Sequence, residues 1–397
     1  MRIGKDSTSL PTTNPLDTHD ALRYIWLTWR LTGIHPVDTH YRIYWTYSLL
    51  LFCALVLFTG LYLGTFAIQK NFTEVLESFS LLIPLIYTFS KQGIICYHIR
   101  GDLPKAASHL HALDRRAEQY PEDCAYLNRK VRQCHNICIA TLTGITICLV
   151  LYALVGIVQH ELPYQGWMPF DWQHSMGFYA LACAFQIFCL CITTTTTICN
   201  DIYSVVYLLL LVAHLRILND RIGRLGSACE FEYEYTNESH KEMENYQQLA
   251  DCVQDHKECM SFYNCIRPAI AATMFIQFLS TAFALCTSAA AFVSEDFSLL
   301  QLMKFFLYFV FVLFEIAPCC LFMDEALAEM HKLTNSLFSC RWYEQDHKFR
   351  RSLIIFMQRS QVADKILAGN IVPVSLDTFV KIIKFAFSLF TLLNQLK

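Results

Sequence analysis

Residues 43–66 read IYWTYSLLLFCALVLFTGLYLGTF and contain no charged side chain. The hydrocarbon core of a bilayer is about 30 Å thick, and a helix of about 20 apolar residues is long enough to cross it. Uninterrupted apolar runs of this length are typical of membrane spans rather than of soluble domains. The stretch therefore predicts a transmembrane helix.

Six further stretches repeat the pattern with different amounts of polarity. Pro84 and Lys91 lie inside the second span. Such interruptions are tolerated where neighbouring helices satisfy the freed backbone groups. The sequence thus predicts an all-α, polytopic membrane protein with seven transmembrane helices. The six further spans are 75–99, 137–158, 177–199, 268–293, 299–323 and 374–396.

The composition agrees with a membrane protein. Of the 397 residues, 54% are hydrophobic and only 16% are charged. These proportions exclude disorder, a collagen-like fibre and an ordinary cytosolic enzyme. The formal net charge is -3. A charge of this sign and size excludes a protein built to neutralise nucleic-acid phosphates.

The distribution of Lys and Arg predicts the orientation. Most of these residues lie in alternate connecting segments, whereas the loops 69–74, 159–176 and 294–298 contain only Lys70. Because basic residues in short loops are retained in the cytoplasm, we expect a cytoplasmic N-terminus and, after seven crossings, an extracellular C-terminus. None of the 18 cysteines lies in these outer loops. We therefore expect all of them to be reduced.

Motifs for catalysis, nucleotide binding or metal ligation were not found in the sequence. Neither an enzyme nor a cofactor is therefore predicted. The hydroxyl run Thr193–Thr197 has two interpretations that the sequence leaves open. It could line a polar cavity, or its hydroxyls could bond to carbonyls of their own helix.

The run 177–213 is too long for one crossing, and we expect a single helix that continues past the membrane. Its apolar inner end, 202–213, then requires a partner. The segment 324–372 carries apolar residues at helical spacing. It is predicted to supply that partner, as a compact helical module on the cytoplasmic side.

The last span carries a polar stripe on an otherwise apolar helix. Asp377 and Lys381 lie four residues apart, a spacing that also suits a simple ion pair. A stripe that ends in a leucine and a glutamine suits a pore wall with a hydrophobic constriction. The stripe comprises Lys381, Lys384, Ser388, Leu392 and Gln395.

The C-terminal eighth of the chain resembles the signature of insect odorant receptors. The matching segments are FRRSL at 349–353, FMQRSQ at 356–361, Ala368-Gly369 and VPVSLDTF at 372–379. Length, seven spans and an inside N-terminus agree with that family.

The resemblance implies an odorant-gated, non-selective cation channel in the plasma membrane of olfactory sensory neurons. The partner it implies is the odorant receptor co-receptor, in a heterotetramer around one pore, and the ligand is a small volatile odorant. It also implies a domain division into an N-terminal segment (1–42), six helices that carry the pocket (43–323), an anchor (324–372) and a pore helix (373–397).

On the same resemblance, the odorant pocket lies in the outer halves of the second to sixth spans, and Leu392 and Gln395 form the gate and the outer polar ring. Aromatic and hydroxyl side chains at those depths are the expected ligand contacts. They are Phe79, Ile83, Tyr87, Tyr152, Phe178, Phe185, Phe188, Thr281 and Thr287.

Two other receptor classes were weighed as alternatives. A gustatory receptor of the same superfamily usually ends in Gln-Phe, whereas this chain has Gln395-Leu396. A G-protein-coupled receptor requires an outside N-terminus and a cytoplasmic tail, which the distribution of basic residues disfavours.

Overall fold

The computed structural model describes residues 16–34, 41–66, 72–159, 162, 167–170, 174–226, 238–294, 299–361 and 364–395. Most of these residues lie in α-helices, in agreement with the predicted fold class. The helices are α1 (Arg23–Leu31), α2 (Tyr41–Phe66), α3 (Phe72–Ile99), α4 (Asp102–Ala117), α5 (Pro121–Gln159), α6 (Met176–Gly223), α7 (Glu238–Ser294), α8 (Leu299–Ser339), α9 (His347–Ser360) and α10 (Leu376–Gln395).

The seven predicted spans correspond to seven helices. Six lie entirely within α2, α3, α5, α6, α7 and α8. The seventh becomes α10, which begins later than predicted because the N–H of Val374 donates to the carbonyl of Ile366 at 2.9 Å and keeps that residue extended. Among the described residues, α2, α5, α6 and α7 contain stretches long and apolar enough to cross a membrane by length and composition.

Four helices continue well beyond the thickness of a bilayer. The helix α6 has 48 residues and α7 has 57. At the rise of an α-helix these correspond to about 72 Å and about 86 Å of length. The prediction of one long helix over 177–213 is confirmed, and α6 continues to Gly223. The helical extensions of α5, α6, α7 and α8 form a second layer of structure beside the membrane-spanning part.

This second layer is built around the inner half of α6. Every residue from Ile202 to Leu215 is buried. The prediction that 324–372 covers this segment is correct but incomplete. Six helices besides α6 contribute side chains to the same core, represented by Trp29 of α1, Ile95 of α3, Leu110 of α4, Cys138 of α5, Phe262 of α7 and Met323 of α8.

The N-terminal segment is part of this core. A 3-10 helix, Thr18–Leu22, leads into α1, whose Trp29 is fully buried and donates its Nε1–H to Asn200 Oδ1 at 3.0 Å. Asp114 holds the start of the segment, because its carboxyl group accepts hydrogen bonds of 2.9 Å from both the backbone N–H and the hydroxyl of Thr18. The family resemblance implies only an N-terminal segment over 1–42 and does not predict that it packs into the core.

The charged segment 100–136, which connects the second and third predicted spans, is mostly helical. It forms α4 and the first part of α5, and an arginine of α6 connects α5 to α7. Arg221 Nη2 lies 2.7 Å from Asp123 Oδ2, and its Nη1 lies 2.8 Å from Asp255 Oδ2. Asp123 and Asp255 are both largely buried. Because charge-assisted hydrogen bonds of this kind are strong, the arrangement holds three helices together.

The 17 cysteines in the described part of the chain are free thiols.

A small hairpin connects α9 to α10. Strands β1 (Leu367–Ala368) and β2 (Val372–Pro373) pair antiparallel, and the turn between them contains Gly369 at φ +58°. The N–H of Gly369 donates to the carbonyl of Ala271 in α7 at 3.3 Å, so the turn lies directly on that helix. A Cβ atom at Gly369 would come within 2.8 Å of Phe275 Cγ.

We expect Gly369→Ala to destabilise the protein by at least about 2 kcal/mol, because it adds both a left-handed alanine and a steric overlap with Phe275. Gly101→Ala is the matched control, since no atom lies within 4 Å of a Cβ at that position. Thermal denaturation in detergent measures both variants. Equal unfolding midpoints for the two would contradict the prediction.

Candidate functional site

A cavity of about 200 Å³ lies inside the membrane-spanning bundle. Five helices, α2, α3, α6, α7 and α8, surround it. Its wall combines apolar and aromatic side chains with six Ser and Thr hydroxyls and one carboxyl group, an arrangement typical of a small-molecule site. The lining residues are Phe58, Ile83, Pro84, Leu85, Tyr87, Thr88, Leu190, Thr193, Thr194, Thr197, Ile198, Ser280, Thr281, Ala284 and Glu315.

The threonine run of α6 satisfies both interpretations that the sequence left open. Thr193, Thr194 and Thr197 line the cavity. The hydroxyl of Thr193 nevertheless donates to the carbonyl of Cys189 at 2.7 Å, and that of Thr197 donates to the carbonyl of Thr193 at 2.9 Å. These hydroxyls therefore present mainly oxygen lone pairs to the interior.

The opposite wall repeats this arrangement on α3 and α7. The hydroxyl of Thr88 donates to the carbonyl of Pro84 at 2.8 Å, and that of Ser280 donates to the carbonyl of Gln277 at 3.1 Å. The oxygens of Thr88 and Thr197 lie 2.6 Å apart, so the two walls meet here. Pro84 lies within α3. A proline at that place cannot donate a helical hydrogen bond.

One end of the cavity is bounded by a buried polar network centred on Lys91. Its ammonium group donates to Tyr87 Oη, Asp201 Oδ1 and Gln277 Oε1, and lies 4.3 Å from the centre of the Tyr87 ring. The side chain of Lys91 is 2% exposed. Its charge therefore depends on Asp201 for compensation. The network joins α3, α6 and α7 at one level of the bundle.

Gln277 connects this ion pair to the carboxyl group in the cavity wall. Its Oε1 accepts from Lys91, while its Nε2 donates to Glu315 Oε2 at 2.9 Å. The amide therefore connects Lys91 of α3 to Glu315 of α8 through hydrogen bonds. Tyr87 and Glu315 belong both to the network and to the cavity wall.

The structure brings together three of the nine residues predicted to contact a ligand. Ile83, Tyr87 and Thr281 line the cavity. Phe185 lies behind the wall, with its ring centroid 6.3 Å from that of Phe58.

The remaining five predicted residues do not line the cavity or are not described. Phe178 and Phe188 are 49% and 51% exposed on the outer side of α6. The side chains of Phe79, Tyr152 and Thr287 lie outside the described residues.

The sequence prediction missed the most polar part of the site. Lys91 and Glu315 were visible as charges within apolar spans, which is a signal of function or of burial against a partner. Asp201 lies within the run 177–213, for which the sequence predicts only a long helix. The spacing of these three residues in the sequence does not predict that they share one network, because they lie on three different helices.

The predicted pore stripe lies on an uncovered side of α10. Lys381, Lys384, Ser388 and Leu392 are all exposed in the single chain. Lys381 Nζ lies 2.7 Å from Asp377 Oδ2, so the simple ion pair that the spacing allowed is present. The side chain of Gln395 lies outside the described residues.

One group of potential metal ligands, Asp17, His111 and Asp114, occurs in the described part of the chain, away from the cavity. Both oxygens of Asp114 accept hydrogen bonds from Thr18, and Asp17 caps the 3-10 helix by accepting from the N–H of His19 at 3.0 Å. These bonds explain the cluster as an anchor for the N-terminal segment.

A seven-helix membrane bundle with a small cavity inside it is an architecture found among helical membrane receptors. The family model described as 7tm Odorant receptor matches residues 71–387, and the chain belongs to this family. The predicted family is therefore confirmed, and it is a receptor family rather than an enzyme family. The match also favours the odorant over the gustatory interpretation.

Individual relatives agree with the family assignment. The chain is 29% identical to Odorant receptor 2a of Drosophila melanogaster, over 96% of this chain and 98% of that protein. It is 28% identical to Odorant receptor 42a of the same species, over 78% of this chain and 74% of that protein.

A solved structure has the same fold. The insect olfactory receptor OR5 from Machilis hrabei matches with a TM-score of 0.73 and 14% identity, over 96% of this chain and 98% of that one. The same receptor in complex with eugenol matches with a TM-score of 0.72 and 14% identity, over 96% of this chain and 99% of that one.

We expect Lys91→Met and Asp201→Asn each to lower the free energy of unfolding by about 3 kcal/mol, because each leaves a buried partner uncompensated. The double variant is expected to recover part of that loss, since it leaves neither charge. Thermal denaturation in detergent compares the three variants with the wild type. Single variants as stable as the wild type would show that the pair is not buried as described.

Proposed function

We propose that this protein is an odorant-tuning subunit that binds a small volatile molecule in the cavity and gates a non-selective cation channel formed with the odorant receptor co-receptor. The observation that carries the proposal is a cavity inside the bundle whose wall includes Tyr87 and Glu315, two members of the Lys91 network. A ligand there touches the same side chains that join four helices.

The size and lining of the cavity suit an odorant. A dry cavity of about 150 Å³ is large enough for benzene. The volume of about 200 Å³ therefore suits a single ring with a short substituent or a short aliphatic chain. Eugenol, with which the Machilis receptor was solved, is a molecule of this general kind. The identity of 14% supports a shared fold.

Binding would act on the channel through the Lys91 network, which bounds one end of the cavity. A ligand shifts a closed-to-open equilibrium only by its difference in affinity for the two forms. Because Gln277 connects Lys91 on α3 to Glu315 on α8, a ligand that moves Glu315 also changes the network. The helix α8 extends beyond the membrane-spanning part to Ser339, and it reaches the predicted anchor, 324–372.

The helix α10 is proposed to line the pore. Its exposed stripe requires either water or another subunit beside it, because lysines that face lipid tails are costly. In a tetramer with the co-receptor, four such helices would surround one axis, with Leu392 as the hydrophobic constriction and Gln395 as the outer polar ring.

The distribution of basic residues supports the orientation that this function requires. With residues 1–42, 100–136, 214–267 and 324–372 on the cytoplasmic side, the second layer of helices forms a cytoplasmic anchor and the C-terminus is extracellular. The proposed location is the plasma membrane of olfactory sensory neurons.

We expect Ile83→Trp to raise the half-maximal odorant concentration at least tenfold, because the larger ring occupies part of the cavity that Ile83 lines. Phe188→Trp is the matched control, since this side chain is half exposed and does not line the cavity. Currents from cells that express each variant with the co-receptor give the measurement. If Phe188→Trp had the stronger effect, the odorant site would lie on the outer side of α6 and not in the cavity.

We expect Leu392→Ala to change unitary conductance or relative ion permeability, because it widens the proposed constriction. Phe387→Ala is the control, since Phe387 is also exposed. It lies about 100° around the helix from Ser388 of the stripe. Reversal potentials in mixed cation solutions test both variants. Unchanged conductance and ion permeability in Leu392→Ala would show that this residue does not line the pore.

A further inference from the structure

The polar groups of the cavity wall are mostly hydrogen-bond acceptors. If the cavity is the odorant site, as proposed above, this bias selects ligands by their polar group. Three of its six Ser and Thr hydroxyls already donate their protons to helix carbonyls, so their free lone pairs are what a ligand meets. Two of the three are Thr193 and Ser280. The third is one member of the Thr88–Thr197 pair, whose oxygens lie 2.6 Å apart, so that the other member donates within the pair.

Glu315 is the carboxyl group among the described lining residues, and its oxygens can accept further hydrogen bonds. Its Oε2 accepts from Gln277 Nε2 at 2.9 Å, and no other described side chain forms a hydrogen bond or an ion pair with this carboxyl group. Lys91 does not neutralise it directly, because its three protons are directed to Tyr87, Asp201 and Gln277. A carboxyl group in the wall of a largely apolar cavity therefore has unused capacity to accept.

We infer that the ligand of this receptor is a small neutral alcohol or phenol whose hydroxyl group donates to Glu315. A hydroxyl is matched by every group on the wall, because it can donate to Glu315 and to the threonine oxygens. An aldehyde, ketone or ester brings only acceptors and leaves those groups unpaired.

Charged ligands fit the same site less well. A carboxylate would lie close to Asp201, which places like charges together in a medium of low dielectric. An ammonium group would approach Lys91, whose charge is already compensated by Asp201. A neutral donor avoids both repulsions.

Matched compounds test the inference in cells that express the full chain with the co-receptor. Benzyl alcohol, benzaldehyde, toluene and benzylamine share one skeleton, and hexan-1-ol, hexanal, hexane and hexylamine share another. We expect the alcohol to act at a concentration about tenfold or more below that of the aldehyde, because one buried hydrogen bond distinguishes them. An aldehyde or an amine that is as potent as the alcohol in both series overturns the inference.

A variant of Glu315 tests whether this side chain causes the preference for alcohols over aldehydes. In Glu315→Gln, the amide can turn its NH₂ group toward the ligand, so we expect the alcohol-to-aldehyde ratio to fall to about twofold or less. Glu122→Gln, at an exposed position, is the control and should keep the wild-type ratio. An unchanged ratio in Glu315→Gln would contradict the role of this residue.

The outcomes separate this inference from the proposed function. Should Glu315→Gln fail to reach the cell surface, the wild-type compound series alone decides. Responses that Ile83→Trp abolishes, but that show no preference for alcohols, would preserve the odorant site and overturn the ligand class. If none of the compounds opens a current although both subunits reach the surface, the proposed function fails and the inference fails with it.

Discussion

Complete burial of the inner half of α6 governs how the other helices are arranged. From Ile202 to Leu215 this helix is buried on every side. It must be enclosed by protein and cannot face water or lipid headgroups, because its surface is apolar. The extensions of α5, α7 and α8 and the N-terminal helix α1 cover that segment. Burying a helix completely also fixes the positions of Asn200 and Asp201 at its upper end.

Asp201 is therefore held where it can neutralise Lys91, and the cavity lies directly beside this pair. A buried ion pair adds little stability over apolar packing, but it penalises every arrangement that separates the partners. The bundle has such a pair at the level where α3, α6, α7 and α8 meet, connected through Gln277 to Glu315. A ligand bound beside a network of this kind affects the relative positions of the helices more directly than a ligand in an apolar cavity would.

Three of the residues predicted to contact a ligand line the cavity, and the reason is clear. Ile83, Tyr87 and Thr281 lie on the sides of α3 and α7 that face the bundle, so both residue type and depth pointed to them. Phe178 and Phe188 are also aromatic and at suitable depth, yet they point away from the cavity. An apolar helix with nearly uniform hydrophobicity does not reveal which side faces its neighbours, because lipid and protein interiors are equally apolar.

Local sequence was sufficient to establish the all-α class, seven spans, one continuous helix over 177–213 and, through the C-terminal segments, the family. These features follow from composition and periodicity, because insertion into a bilayer depends on the local composition of each segment. The packing of the whole chain was needed to show that α1 belongs to the core, that Trp29 bonds to Asn200, and that Lys91, Asp201 and Glu315 share one network. Those contacts join residues far apart in the chain, and they depend on the rotation and depth of each helix, which packing alone sets.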